Sequence, residues 1–465
     1  MSTVLALAPR LAVARIRNSR GGMMLDALAV AAFSICTALV LTVAGGAWMF
    51  VQRRMNPTQA MADALGGGSM SNLGDSPSLY VFLACLACGL LVVPILTLGG
   101  GAARLGAQGR ARRLASLRLL GVTGGEVTLM AALESLVQAG IGAVIGSLLY
   151  LVTLPAWGGV SFEGVHIGAG EMLLPAWAWL GLIGLVLLLA GLSALFGLQG
   201  VRISPLGVAK RQTPPALRAW RAALLFAALV VYVITALGMR ITNIEWGMYL
   251  TLLAMLGMML LVINLVGPYI LQTLARLWAL SNRPAGLIAA RRIVDDPRAA
   301  WRNVGALSTL SLAAAFSAWV PLQEGRASWA YVIIVADLRR GVLITLGIGF
   351  VLAACATTIA QASSVFDRRQ ELVALDRMGA PRSLVHATRT REVLLPEAIT
   401  AIGSAGIGTV MSLPFVVTTQ VQPTLRGIVI VGVVMVMGFA LAWGGSQVAR
   451  PLVNHVLTEP HRRND

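Results

Sequence analysis

Apolar residues run along this chain in ten blocks, at roughly 25–51, 79–103, 127–154, 174–198, 220–239, 246–272, 303–322, 341–362, 387–414 and 427–448. Each is long enough to cross a bilayer core as a helix, which takes about 20 residues. Within the blocks polar residues do not alternate with apolar ones, so the pattern excludes a transmembrane β-barrel. It predicts an all-α integral membrane protein of about ten transmembrane helices.

The segments between the blocks alternate in character. Segments 1–24, 104–126, 199–219, 273–302 and 363–386 carry clusters of arginine, among them Arg15, Arg118, Arg202, Arg292 and Arg377. The intervening segments are poorer in positive charge: 155–173 holds Glu163 and Glu171 and no Lys or Arg, 52–78 holds Arg53 and Arg54, and 323–340 holds Arg326, Arg339 and Arg340. Basic loops stay in the cytoplasm, so the pattern predicts a multi-pass protein of the cell (inner or plasma) membrane with both termini cytoplasmic. Trp48, Tyr80, Trp157, Trp177, Trp179, Trp246, Trp319 and Trp329 fall at the opposite ends of the blocks, as aromatic residues do at headgroup level.

Composition agrees. Of 465 residues 57% are hydrophobic and 12% charged, where a soluble domain keeps about a quarter charged. The net charge of +17 would suit nucleic acid, but it recurs between apolar blocks instead of forming one patch, so no nucleic-acid partner is expected. The apolar run that begins near Leu25 is too long for a cleavable signal core and reads as a retained span. Cys36, Cys85, Cys88 and Cys355 all lie inside apolar blocks and imply no disulfide framework, and the Cys85/Cys88 pair has no second pair or histidine near it in sequence to make a zinc site.

The chain repeats internally. Arg110–Gly121 reads RARRLASLRLLG and Arg368–Gly379 reads RRQELVALDRMG. Leu114, Leu117, Leu120 and Gly121 align with Leu372, Leu375, Met378 and Gly379 at one offset, and without a gap Glu134 then aligns with Glu392. Both copies continue to a Gly-rich span closing on Leu154-Pro155 or Leu413-Pro414. More weakly, LAVARIR from Leu11 matches LIAARRI from Leu287. The predicted organisation is a first four-helix unit (1–199), a spacer with two spans (200–280) and a second four-helix unit (281–465). Two spacer spans keep both units in one orientation, so this 4+2+4 repeat is parallel.

In each copy the basic segment is an amphipathic helix in its own right, too short and too charged to span. Leu114, Leu117 and Leu120 make an apolar stripe, while Arg112, Arg113 and Arg118 point elsewhere and Gly121 suits a C-terminal cap. Arg368, Arg369 and Glu371 accompany the second stripe. Such a helix lies on anionic lipid or on a partner, and two equivalent copies favour a partner with two docking sites.

Catalytic motifs are missing. Lys210 sits in PLGVAKR without phosphate-cradling glycines, HExxH and GxSxG do not occur, and His166, His386, His455 and His461 have no metal-ligand spacing. The chain reads as a non-enzyme with no cofactor of its own. Glu134, Glu392 and Glu397 are intramembrane polar candidates. For Glu134 and Glu392 pairing with nearby arginine is the simpler explanation, whereas Glu397 lies deeper, beside Pro396. The glycines Gly140, Gly142, Gly146, Gly403, Gly406 and Gly408 are read as helix-packing positions.

The pattern R-x-x-E-L-x-x-L-x-x-x-G-A before a span with an early Glu resembles the FtsX-like permease domain, the membrane subunit of MacB/FtsX/LolE-type ABC transporters. RRQELVALDRMGA at Arg368–Ala380 is the closer match; the first copy has Arg113 in place of the Glu. Ile203-Ser204-Pro205 is a further family-like feature. The duplicated ten-span form is similar to BceB-like permeases, but without their large extracellular domain, since only Gln323–Arg340 stands in its place. The resemblance implies a permease that docks a separate cytoplasmic ATPase, two copies per chain, through Arg110–Gly121 and Arg368–Gly379. ATP and Mg would bind to that partner, and the cargo would be an amphipathic, lipid-like or peptide molecule. A permease that senses a peptide or transmits force without net transport, and a secondary transporter, are the alternatives.

Overall fold

The computed structural model describes residues 20–448 apart from 67, 70–75, 120–122, 169, 203–219, 239–245, 281–282, 320–328, 368 and 420–424. Nearly all of it is helix: α1 Arg20–Met55, α2 Gln59–Leu65, α3 Ser76–Leu119, α4 Gly124–Thr153, α5 Ala176–Arg202, α6 Trp220–Gly238, α7 Trp246–Trp278, α8 Pro284–Asp295, α9 Pro297–Trp319, α10 Trp329–Asp367, α11 Arg369–Arg377, α12 Arg382–Thr419 and α13 Leu425–Val448. Eight of the described helices, α1, α3 to α7, α10 and α12, are long and apolar enough to cross a membrane, which makes this an all-α, multi-pass membrane protein. A two-stranded antiparallel hairpin, β1 Ser161–Phe162 and β2 Val165–His166, is the one sheet among the described residues.

Helix ends obey local chemistry. Thr123 caps α4: its Oγ accepts the Glu126 N–H, and the Glu126 carboxylate accepts the Thr123 N–H at 3.0 Å. After α11 the chain turns through Gly379 at φ +79, with the Ala380 N–H donating back to the Leu375 carbonyl, a left-handed termination open to glycine. Leu120 and Gly121, the equivalent end in the first copy, lie outside the described residues.

α1 packs on α4, and α9 packs on α12. A Cβ built at Gly142 would lie 2.5 Å from Phe33 Cβ, and one at Gly146 would lie 2.5 Å from the Ser34 carbonyl oxygen, so α4 touches α1 along those glycines. In the second unit Gly408 meets the α9 backbone at Leu312, while Ser404, in the register of Gly146, hydrogen-bonds Ser308 at 2.5 Å. Gly140, Gly403 and Gly406 face open space, so three of the six expected packing positions are not contacts.

The units meet along α3 and α10, where Leu98, Ala102 and Leu105 interleave with Leu352, Ile359 and Val365. The spacer helices α6 and α7 lean on the second unit through Tyr232, Met259 and Ile263 against Trp301, Val304 and Leu312. Asn264 of α7 fixes this contact: its Oδ1 accepts the Trp301 indole N–H at 3.1 Å, and the indole lies against Gly267.

Two expectations need correcting. The first basic segment is no separate helix: α3 runs unbroken for 44 residues, carrying Arg110, Arg112, Arg113, Leu114 and Leu117 on an extension of its span. In the second copy residues 369–377 form α11, where Glu371 is the counterpart of Arg113; residue 368, between α10 and α11, lies outside the described residues. The segment 323–340 is also not all loop, because α10 starts at Trp329 and adds three turns. The charges Asp337, Arg339 and Arg340 made those turns look like a connection.

Candidate functional site: an apolar cavity and its polar cover

Between the two units lies a cavity of about 1340 Å³. Its walls are α1 (Gly46, Ala47), α3 (Leu83, Ala87), α9 (Leu310, Phe316) and α10 (Val342, Leu346), with Leu252 and Leu256 of α7 at one side. The lining is mostly aliphatic and aromatic. Its polar groups include Tyr80, Asp337 and Arg339 at the end where the hairpin sits, and Trp157, Phe162, Ile167 and Met172 line that end.

The hairpin is held by an ionic cluster assembled from both units. Arg53, at the last turn of α1, is only 5% exposed. Its Nη1 donates to the Phe162 carbonyl at 2.8 Å, its Nη2 to the His166 carbonyl at 3.2 Å and its Nε to Glu171 at 2.8 Å. Glu163 Oε2 stands 3.5 Å from the same guanidinium. A buried guanidinium is tolerable only when its donors are satisfied in this way. From the other unit, Asp337 Oδ2 accepts the Tyr80 hydroxyl at 2.7 Å and the Glu163 N–H at 2.6 Å. Arg340 Nη1 donates to Asp337 Oδ1 at 2.8 Å and to the Ser161 carbonyl at 2.9 Å. Burial pushes the Glu163 carboxyl up to about 7, against the pull of Arg53 and aided by Asp337 and Glu171.

At the opposite, basic end, Arg292 of the amphipathic α8 bridges two of the sequence candidates. Its Nη2 meets Glu371 of α11 at 2.5 Å and its Nη1 meets Glu392 of α12 at 3.3 Å. Pairing with an arginine therefore accounts for Glu392. Leu372 is buried among Leu105, Val365 and Val385, so the chain itself takes up that stripe position, while Leu375 is half-buried and Met378 is 73% exposed. Glu134 is buried on α4. Glu397 is 1% exposed, and its Oε2 has no hydrogen-bond partner among the described residues; Gly438 of α13 leaves the space its Oε1 fills. Leu120, Gly121 and Arg368 lie outside the described residues.

Sequence reasoning passed over Arg53, Glu163, Asp337 and Arg340 as loop charges. The available signal was charge of both signs on the one side expected to be poor in it. Among the described residues no group of His, Cys, Asp and Glu could hold a metal ion, and the four cysteines are free thiols. No protein-family model matches the chain, and no curated protein matches it.

Proposed function

We propose that the chain is the permease subunit of an ABC transporter: two parallel FtsX-like units and a two-span spacer in one polypeptide, with α9 and α13 as the seventh and tenth spans. In this reading it sits in the inner (plasma) membrane with both termini in the cytoplasm. It docks two copies of a cytoplasmic ATPase that bind ATP and Mg, and it converts their closure into relative motion of the units. The cargo is an amphipathic, lipid-like or peptide molecule, exported or extracted from the bilayer.

The observation that carries this reading is the cavity between the units. Its apolar walls suit a molecule with a long hydrophobic part, and its charged groups Asp337 and Arg339 lie at the hairpin end, where a polar head could be held. Both units also send a basic helix away from the apolar layer, as the far part of α3 and as α11. Moving α3 against α10 would reshape the cavity they both line.

Native mass spectrometry of the complex purified through this chain tests the proposal. One permease with two ATPases is the expected mass; a complex without ATPase, or with two permease chains, refutes it. Buried Glu397 favours a proton-coupled secondary transporter, and cargo uptake driven by a pH gradient in ATPase-free vesicles would select that reading.

A further inference from the structure

We propose that the Ser161–His166 hairpin is a lid over the inter-unit cavity, latched to the second unit through Asp337, so that parting the units at this end unseats the hairpin and opens the cavity there. The proposal concerns the geometry of the cavity and hairpin and does not depend on the ATPase reading.

A two-stranded hairpin of four paired residues has no stability of its own, so its position is set by what it is bonded to. Its underside is apolar: Phe162 packs edge-on against Phe50 at 5.3 Å, Phe50 stacks on Tyr80, and Phe162 and Ile167 face the cavity. Its turn is wedged. Glu163 at φ +57 and Gly164 at φ +76 form a two-residue left-handed turn, and Gly164 lies against Ala64 of α2. A glutamate in that conformation is strained. Its N–H is held by Asp337, a residue of the other unit 174 positions on.

The bonds divide by unit. Arg53 ties the hairpin to α1 of its own unit. Asp337 and Arg340, one turn apart on α10, tie it to the second unit. Tyr80 on α3 shares the Asp337 carboxylate, so the α3–α10 contact and the lid use one acceptor. When α10 moves from α3, Asp337 loses the Tyr80 hydroxyl and the Glu163 N–H together, and the strained turn loses its restraint. Arg53 keeps the hairpin tethered, so the lid swings and is not lost.

The test uses purified full-length chain in lipid nanodiscs, with Cys36, Cys85, Cys88 and Cys355 replaced by serine and Ala47→Cys placed in the cavity wall. The rate of reaction with a bulky, charged maleimide reads lid opening, and amide exchange of the peptide spanning the hairpin reads its seating. A thiol introduced at Ile141, on the face of α4 that lipid covers in the nanodisc and that the charged reagent reaches only if the fold is lost, is the control. Asp337→Ala removes hydrogen bonds to a charged acceptor, so labelling at position 47 should rise about tenfold or more, with faster exchange at the hairpin and no change at 141. An unchanged rate at 47 overturns the proposal, and so does faster hairpin exchange without faster labelling. Should Asp337→Ala raise labelling at 141 as well, through loss of fold, Tyr80→Phe decides. It keeps the ring packing and deletes one donor, so a smaller rise at 47 alone supports the latch and the parent rate overturns it.

Discussion

Replacing Gly146 with alanine should destabilise the protein, while the same replacement at Gly140, six residues earlier in the same helix, should stabilise it. Gly→Ala in a helix interior is worth about 0.8–1 kcal/mol in its favour from backbone entropy alone, and both sites gain this. At Gly140 the added methyl meets nothing within 4 Å. At Gly146 it would fall 2.5 Å from the Ser34 carbonyl oxygen, 2.7 Å from Thr37 Cβ and 3.0 Å from the Ala38 nitrogen. Two of these are backbone atoms of α1, which no rotamer change can move, so the helices must part. Overpacking of this kind costs about 1–3 kcal/mol and occasionally more. Gly142, one turn before Gly146 and 2.5 Å from Phe33 Cβ in the same sense, should follow Gly146. The two alanine variants are therefore expected to differ by about 1–3 kcal/mol. The assay is size-exclusion chromatography of detergent-solubilised protein after a temperature series, read as the temperature of half-loss because membrane-protein unfolding is commonly irreversible. If Gly140→Ala and Gly146→Ala shift that temperature equally, the α1–α4 contact is not made through this face.

Two further outcomes follow from the same structure. The Glu163 carboxyl is raised from 4.5 to about 7, so the folded protein favours its protonated form; its stabilising contribution is complete below pH 4.5 and is lost as pH rises through about 7. The groups facing it are Arg53 on α1, Tyr80 on α3, Glu171 beyond the hairpin, and Asp337 and Arg340 on α10. The wild type should therefore lose thermal stability between pH 5 and pH 8, by up to about 3 kcal/mol, relative to Glu163→Gln measured over the same range; equal profiles refute this. If the chain docks an ATPase as proposed, Leu375→Asp at the basic end should leave expression intact and lower that binding tenfold or more, about 1.4 kcal/mol or above. Leu372→Asp puts a charge among buried aliphatic residues and should abolish folded protein, as judged by the chromatographic peak.

The helical architecture was legible because a bilayer imposes one rule on sequence, a long apolar run, and eight of the ten blocks carry helices that satisfy it by length and composition. The polar cover was not. Arg53 finds partners more than a hundred residues away, and Asp337 faces Glu163 across the boundary between units, so no local spacing announces either. Leu372 shows the converse error. Its periodicity correctly marked an apolar face, but periodicity says only that a face is buried, and here the burying surface is α3 and α10 of the same chain. The unbroken α3 was hidden because arginine and alanine are good helix formers, so a span can continue past the apolar layer with no stop signal.

The burial of Arg53 has a consequence for how the chain is made. Its guanidinium lies at the end of the first apolar helix, while the carbonyls and carboxylate that satisfy it are synthesised 109 to 118 residues later. The Asp337 that seats the same hairpin follows Glu163 by another 174. At translation rates of about 5–20 residues per second, Arg53 waits several seconds or more for its partners, and the hairpin waits on the order of ten seconds more for its seat. A nascent chain that stops before α10 therefore carries an unseated hairpin. Completion of this end of the molecule is therefore coupled to synthesis of the part of the chain that carries Asp337.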